Sequence, residues 1–372
     1  MSSAVERLLA YQVEARHTPG ALVHVERGGK IVARSAAGLL GPGSAVAMHD
    51  GALFRLASLT KPVVSLAALM QVDEGRLELD APVAEFLPGL RDVRLGTGMA
   101  PSRAPTLRDL LRHTSGFAYE TEFREAALRE IALKNDIGAR LPHVDAADLL
   151  QVLAARPLAA EPGRAFRYGF STDVLGMIVA ATDGLSLGES LRRRIFEPLE
   201  MHDTGFEVPA SAHGRLATAF AGDSAWHARV ACYGLRREGR PWMECGGAGL
   251  VSTLDDFASF ARLLANGGRH RDGRLISESL FVEMTRNQLP EDVDGPLGFT
   301  GAGFGFGLGF AVRLDYGAAA MPCAPGELTW SGISGTALFV HPGERWFAIC
   351  FSSNMASRMM ARMEFRRAVA GL

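Results

Sequence analysis

Two kinds of periodicity divide the chain. Residues 21–38 (ALVHVERGGKIVARSAAG) place Val23 and Val25, then Ile31, Val32 and Ala33, on either side of Gly28-Gly29. β-Branched and apolar positions flanking a Gly-Gly pair predict a hairpin. Residues 54–74 (FRLASLTKPVVSLAALMQVDE) read as a buried helix that begins near Ser58 and is capped by Gly75. Pro62 falls in its first turn, where a missing N–H costs little. From about 80 to 245 strand signals thin out, and helical segments at 106–116, 143–156, 173–184 and 187–199 alternate with Pro- and Gly-rich loops. A further helix is predicted over 253–268, with Asp255 and Asp256 in its first turn and Gly267 at its end. Strand patterns rich in Phe, Val, Ile and Trp return at 306–315, 326–342 and 345–353. An amphipathic helix opens the chain and a helix closes it. The pattern predicts an α/β (α+β) protein. Its antiparallel sheet draws on both termini (1–85 and 245–372), is flanked by helices, and carries a mostly helical inserted domain at 86–244.

Composition narrows the class. Of 372 residues, 48% are hydrophobic and 22% charged, enough for a core without metals or disulfides. The net charge of 39 − 41 = −2 gives no electrostatic footprint for nucleic acid or an anionic membrane. Cys232, Cys245, Cys323 and Cys350 are far apart and form no CxxC pair, which suits buried free thiols in a reducing compartment. The N-terminal segment lacks the apolar run of a signal peptide, and no stretch of 18 apolar residues occurs, so a cytoplasmic protein without a membrane span is expected. The histidines are scattered without metal-site spacing, and no phosphate-cradling glycine motif opens a helix. Neither metal nor cofactor is expected.

The densest chemical signal is Ser58-Leu59-Thr60-Lys61. Residues three apart share a helix face, so the Ser58 hydroxyl and the Lys61 amine can meet. A serine needs a base within hydrogen-bond reach to attack a carbonyl. At a helix start its backbone N–H is also free to bind an oxyanion. Lysine is rare here: of 39 basic residues only Lys30, Lys61 and Lys134 are not arginine. Arginine cannot give up its proton, whereas a lysine can serve as a base. The tetrapeptide alone also describes a capping serine followed by a solvated lysine. Gly184-Leu185-Ser186-Leu187-Gly188 matches G-x-S-x-G, but that elbow needs a preceding strand. Here a helical segment precedes it, and Ser186 reads as a helix cap.

Context decides between these readings. FRLASLTK (54–61) resembles the nucleophile motif of serine β-lactamases, penicillin-binding proteins and their esterase relatives. TLRDLLRHTSG (106–116), EPGRAFRYGFSTDVLG (161–176) and WSGISGTALFVHP (330–342) resemble further segments of that superfamily, in its order. Together with shorter matches they span about 20–355. The resemblance implies a β-lactamase/DD-peptidase-like fold with the active site between the sheet domain and the helical insertion. It implies Ser58 as nucleophile, Lys61 and Tyr168 as base and proton relay, and the backbone N–H groups of Ser58 and Ile333 as the oxyanion hole. His113, in the RHTSG turn, is then structural. Two departures bear on substrate. Trp330 stands where lactamases and penicillin-binding proteins usually have Lys or His, and Phe170 ends a Tyr168-Gly169-Phe170 triplet that is usually Tyr-x-Asn. Both replace polar recognition by apolar surface, as in the family VIII carboxylesterases. Phe170, Trp330, Ser331 and Gly332 are the expected substrate-binding residues, with Tyr119 and Phe123 as further pocket candidates. The implied activity is hydrolysis of small or short-chain acyl esters, with a small-molecule ester as the only expected partner. The same acyl-enzyme would serve an acyltransferase. A β-lactamase or D-amino-acid amidase, and a non-catalytic binding module on the same fold, are the remaining alternatives.

Overall fold

The Gly28-Gly29 pair closes the hairpin that the sequence predicts. Both residues lie in the left-handed region (φ +56° and +78°), as a tight hairpin turn requires. In this computed structural model, which describes residues 3–134, 137–222 and 227–372, the hairpin strands are β1 (Gly20–Arg27) and β2 (Lys30–Gly38). The other strands that position the site are β3 (Phe54–Arg55), β4 (Val251–Ser252), β5 (Phe304–Phe306), β6 (Ala311–Arg313), β7 (Leu328–Ser331), β8 (Ala337–His341) and β9 (Trp346–Ser352). Seven of these form one sheet in the order β2-β1-β9-β8-β7-β6-β5. β1 and β9 pair antiparallel from Ala21↔Ser352 to Arg27↔Trp346, so the two ends of the chain meet at adjacent strands.

Alternation along these strands assigns the two faces. Val23, Val25, Ala348 and Cys350 pack with Val5, Leu9 and Phe365 from helices α1 (Ala4–Glu14) and, across the gap, the C-terminal Arg358–Val369. Leu22, Phe347, Ile349 and Phe351 point the other way. They join a larger core with α2 (Thr60–Asp73), α3 (Ser171–Asp183) and α4 (Leu254–Ala265); the C-terminal helix is α5. A sheet covered on both faces explains why β9 is buried throughout and reads as an apolar run.

Several expectations shift. Phe54 and Arg55, ahead of the predicted helix start, form the unpredicted strand β3, paired with Ser252 and Val251. A 3₁₀ turn, Ala57–Leu59, follows, and α2 starts only at Thr60. The partner of β3 comes from nearly 200 positions away, where no local pattern reaches. The segment predicted at 187–199 breaks into Leu187–Leu191 and a π turn, Arg192–Phe196. The strand predicted at 306–315 is two short strands, β5 and β6. Among the described residues no single helix is long and apolar enough to cross a membrane. One bent pair, Ser171–Asp183 with Leu187–Phe196, passes a test of length and composition, but α3 packs in the core.

Candidate active site

The β3 strand delivers the chain to Ser58 under constraint. Ala57, fully buried, is held at φ +47°, a conformation that costs a non-glycine residue about 1–3 kcal/mol unless its surroundings enforce it. The enforcement is visible on both sides. Ser334 Oγ donates to the Arg55 carbonyl (2.7 Å) and Thr336 Oγ1 to the Leu56 carbonyl (2.9 Å). The Leu250 N–H bonds Thr60 Oγ1 at 3.1 Å. Ser58 emerges half-buried at the head of α2.

One turn on, Lys61 is 1% exposed. Its Nζ lies 3.4 Å from Ser58 Oγ and donates to the Gly247 carbonyl at 2.7 Å. The Gly247 N–H in turn donates to Asp173 Oδ1 at 3.0 Å. A Cβ at Gly247 would sit 2.5 Å from Asp173 Oδ2, so this approach needs glycine. Asp173 Oδ2 has no hydrogen-bond partner among the described residues. Burial pushes the Asp173 carboxyl above the usual carboxylate range, opposed by the Lys61 charge and the Gly247 N–H. A buried carboxylate thus lies one peptide away from the lysine, an arrangement that sequence reasoning missed. Asp173 is in the first turn of α3, where an acid reads simply as helix-dipole complement. The paired glycines at 246–247 were the available signal of a close approach.

Tyr168 reaches the same spot from the helical insertion. It lies in an extended segment bridged to residues 117–119: the Tyr119 N–H bonds the Tyr168 carbonyl (3.0 Å) and the Phe170 N–H bonds the Phe117 carbonyl (2.8 Å). A Cβ at Gly169 would come within 2.4 Å of the Phe117 oxygen, which accounts for the glycine. The Lys61 Nζ sits 4.6 Å from the Tyr168 ring centroid. The Tyr168 hydroxyl has no partner among the described residues, so it bonds neither Ser58 nor Lys61. His113 packs against the Tyr168 ring at 4.7 Å. Complete burial, reinforced by the Lys61 charge, lowers its pKa well below the ordinary value, so it is a neutral imidazole inside the structure.

The third wall is β7 and the turn after it. Trp330 is 2% exposed and packs against Tyr168, Phe299 and Phe306. Its indole N–H is unpartnered among the described residues, so the tryptophan keeps one polar donor as well as apolar surface. A Cβ at Gly332 would meet the Leu56 oxygen at 2.3 Å. The Ser331 hydroxyl accepts from Arg362 at 3.1 Å. Among the described residues, the backbone N–H groups of Ser58 and Ile333 find no acceptor, which leaves both able to donate to a bound oxygen.

These walls enclose a cavity of about 300 Å³ whose lining includes Ser58, Tyr119, Tyr168, Tyr233, Trp330 and Ile333. Ser331 and Gly332 line it too. Phe170 does not: it is 0% exposed and stacked edge-on behind Tyr119 at 4.8 Å, so it supports the pocket rather than facing it. Phe123 is likewise removed, buried with Ala118 and Ala132 in a separate cluster. Arg229 and Tyr233 were not anticipated. They come from the helix His227–Cys232 and its exit, where no motif marks them. Ser186 caps the Leu187–Leu191 helix, accepting from the Glu189 N–H, and α3 rather than a strand precedes it.

Comparison with known proteins places the chain. The family described as Beta-lactamase matches residues 5–372. Esterase EstB of Burkholderia gladioli is 31% identical over 368 residues, covering 91% of this chain and 87% of its own. Protein Rv1367c of Mycobacterium tuberculosis is 34% identical over 307 residues, covering 78% and 75%. Among solved structures, EstCE1, described as a hydrolase with promiscuous acyltransferase activity, superposes with a TM-score of 0.82 at 25% identity, covering 99% of this chain and 98% of that one.

Proposed function

The chain belongs to the β-lactamase family, and from that premise we propose that it is a serine carboxylesterase acting on small or short-chain acyl esters. The observation that carries the proposal is the meeting of three features at one cavity. Ser58 Oγ opens into it, Lys61 Nζ is 3.4 Å from that oxygen, and the Ser58 and Ile333 N–H groups are free to donate. In the proposed cycle Lys61 takes the Ser58 proton while Oγ attacks the ester carbonyl. The two backbone N–H groups hold the oxyanion. As the tetrahedral intermediate collapses, the Tyr168 phenol hands a proton to the departing alkoxide and recovers one from the Lys61 ammonium. Water then attacks the acyl-enzyme with the same groups in reverse, releasing the acid and restoring Ser58.

The lining sets the rings of Tyr119, Tyr168, Tyr233, Phe299 and Trp330 beside three charged groups, Glu122, Arg229 and Arg358, and its aromatic share supports an ester substrate. Similarity to EstB supports the same choice. Acyl transfer to an alcohol in place of water is the second reading, supported by the likeness to EstCE1. The lining combines residues of 1–85 and 245–372 with Tyr119, Tyr168 and Tyr233 from 86–244, which supports an active site between a sheet domain and a helical insertion. Four free cysteines support a reducing, cytoplasmic setting.

Intact mass after fluorophosphonate treatment tests the assignment. A single adduct on the wild type, absent in Ser58→Ala, is expected. Turnover of p-nitrophenyl acetate and butyrate should fall at least about 1,000-fold in that variant. An adduct that survives Ser58→Ala would refute the nucleophile. Nitrocefin turnover matching that of the esters would refute the ester preference.

A further inference from the structure

Arg55 stands three residues before Ser58 and is 7% exposed, yet its guanidinium meets no carboxylate among the described residues. It donates instead to three backbone carbonyls far along the chain: Tyr233 (2.9 Å), Ala231 (2.9 Å) and Ala217 (3.2 Å). A buried cation without an acid partner is expensive to maintain. Burial accordingly pushes its pKa down to about 10. What the cation accomplishes follows from its acceptors. Ala231 and Tyr233 lie at the C-terminal end of the helix His227–Cys232, where carbonyls have no partner within the helix. That helix and its exit carry Arg229, Val230 and Tyr233 into the active-site cavity.

The main chain at the same position is tied elsewhere. The Arg55 and Leu56 carbonyls accept from Ser334 and Thr336, which flank the turn bearing the Ile333 N–H. One residue therefore connects the nucleophile, the oxyanion turn and the outer wall. Behind the wall lies a second cavity of about 90 Å³, lined by Phe54, Arg55, Ala217, Val230 and Met355 among others. The wall has room to retreat if the guanidinium releases it.

We propose that Arg55 is the specificity-positioning residue of this site, holding the wall at Val230 and Tyr233 at the distance from Ser58 that limits the acyl length the cavity admits. The proposal rests on Ser58 being the nucleophile of an esterase. Lysine cannot replace arginine in this role, because one compact, strongly hydrated ammonium does not span three separated carbonyls.

The test compares wild type with Arg55→Lys on p-nitrophenyl acetate and octanoate, with Ser58 titrated by fluorophosphonate in both. The expected result is a rise of about tenfold in the octanoate-to-acetate ratio of kcat/KM, the scale at which pockets discriminate by methylenes. A merely structural role would lower the melting temperature and the labelled fraction but leave this ratio alone, so a ratio within about twofold of wild type overturns the proposal. Should Arg55→Lys fail to fold, Val230→Ala trims the same wall directly; the ratio must rise there too, and an unchanged ratio overturns the proposal equally. Absence of a Ser58 adduct on the wild type would remove the esterase premise itself. An adduct with an unmoved ratio would sink the Arg55 role alone.

Discussion

The two sides of the cleft are built differently. On the sheet side, Ser58, Lys61, Gly247 and the 332–336 turn are locked by short-range contacts to backbone. Lys61 bonds a carbonyl, Thr336 bonds a carbonyl, and glycines at 247 and 332 admit main chain where a Cβ would collide. On the insertion side, Tyr119 and Tyr168 share one backbone hydrogen bond and an edge-on ring contact, and the Tyr233 carbonyl accepts from Arg55, while the three rings themselves are held by packing. Backbone-locked groups cannot drift without breaking hydrogen bonds, whereas packed rings slide at lower cost. The proposed nucleophile, base and oxyanion donors therefore sit on the locked side, while the insertion side adds the proposed relay Tyr168 and the rings of Tyr119 and Tyr233.

Substitutions on the locked side should produce the larger losses. Lys61→Arg replaces the proposed base by a group that cannot give up its proton, and kcat/KM should fall about 1,000-fold or more with folding intact by circular dichroism. Recovery of activity near wild type would show that the lysine is only a structural donor to Gly247. Gly247→Ala drives a methyl group towards Asp173 Oδ2. It should cost about 100-fold in kcat by displacing the carbonyl that holds Lys61, and a variant with unaltered kcat would mean that this lock is not needed.

At the junction of the two sides, His113 offers a pH handle. Its pKa is lowered in the folded protein, first by burial and then by the Lys61 charge. A histidine depressed in the fold contributes fully above its unfolded value of about 6.5, and that contribution is lost as acid protonates the unfolded chain preferentially. Thermal melts should therefore weaken below about pH 6.5, by no more than about 1.4 kcal/mol per pH unit from this one group. His113→Asn, which tolerates the left-handed backbone at φ +57°, should flatten that slope, and parallel slopes in the two proteins would exclude the histidine as its source. The smallest effect belongs to Ser186, remote from both sides. Ser186→Ala should leave esterase activity within about twofold and cost about 1 kcal/mol of stability as a lost N-cap. A large loss of turnover there would reopen the G-x-S-x-G serine.

The same contrast decides what could be read from the chain. The Gly28-Gly29 hairpin, the Ser58–Lys61 spacing and Trp330 on a strand were legible because each is a local pattern with a local cause. The family match bears out the β-lactamase-like fold that the resemblance implied. The short strand β3 ahead of α2 was not legible because it exists only through its partner β4. Phe170 was read as facing substrate, since alternation alone does not say which side of Tyr119 it occupies. Asp173 and Arg55 bond peptide groups of distant residues; the glycines at 246–247 are the one trace of the first, and nothing in the sequence marks the carbonyls that Arg55 meets.

The pairing of β1 with β9 bears on how the chain must be made. A ribosome releases β1 and β2 first and β9 only after more than 300 further residues. Until then β1 has just one of its two neighbours, and its open edge can capture strands from other molecules. The outermost helices, α1 and α5, likewise wait for each other across the whole length of the chain. The sheet can close only once β9 has been made, so yield during expression should depend on holding the early hairpin apart from its copies rather than on the final stability of the enzyme.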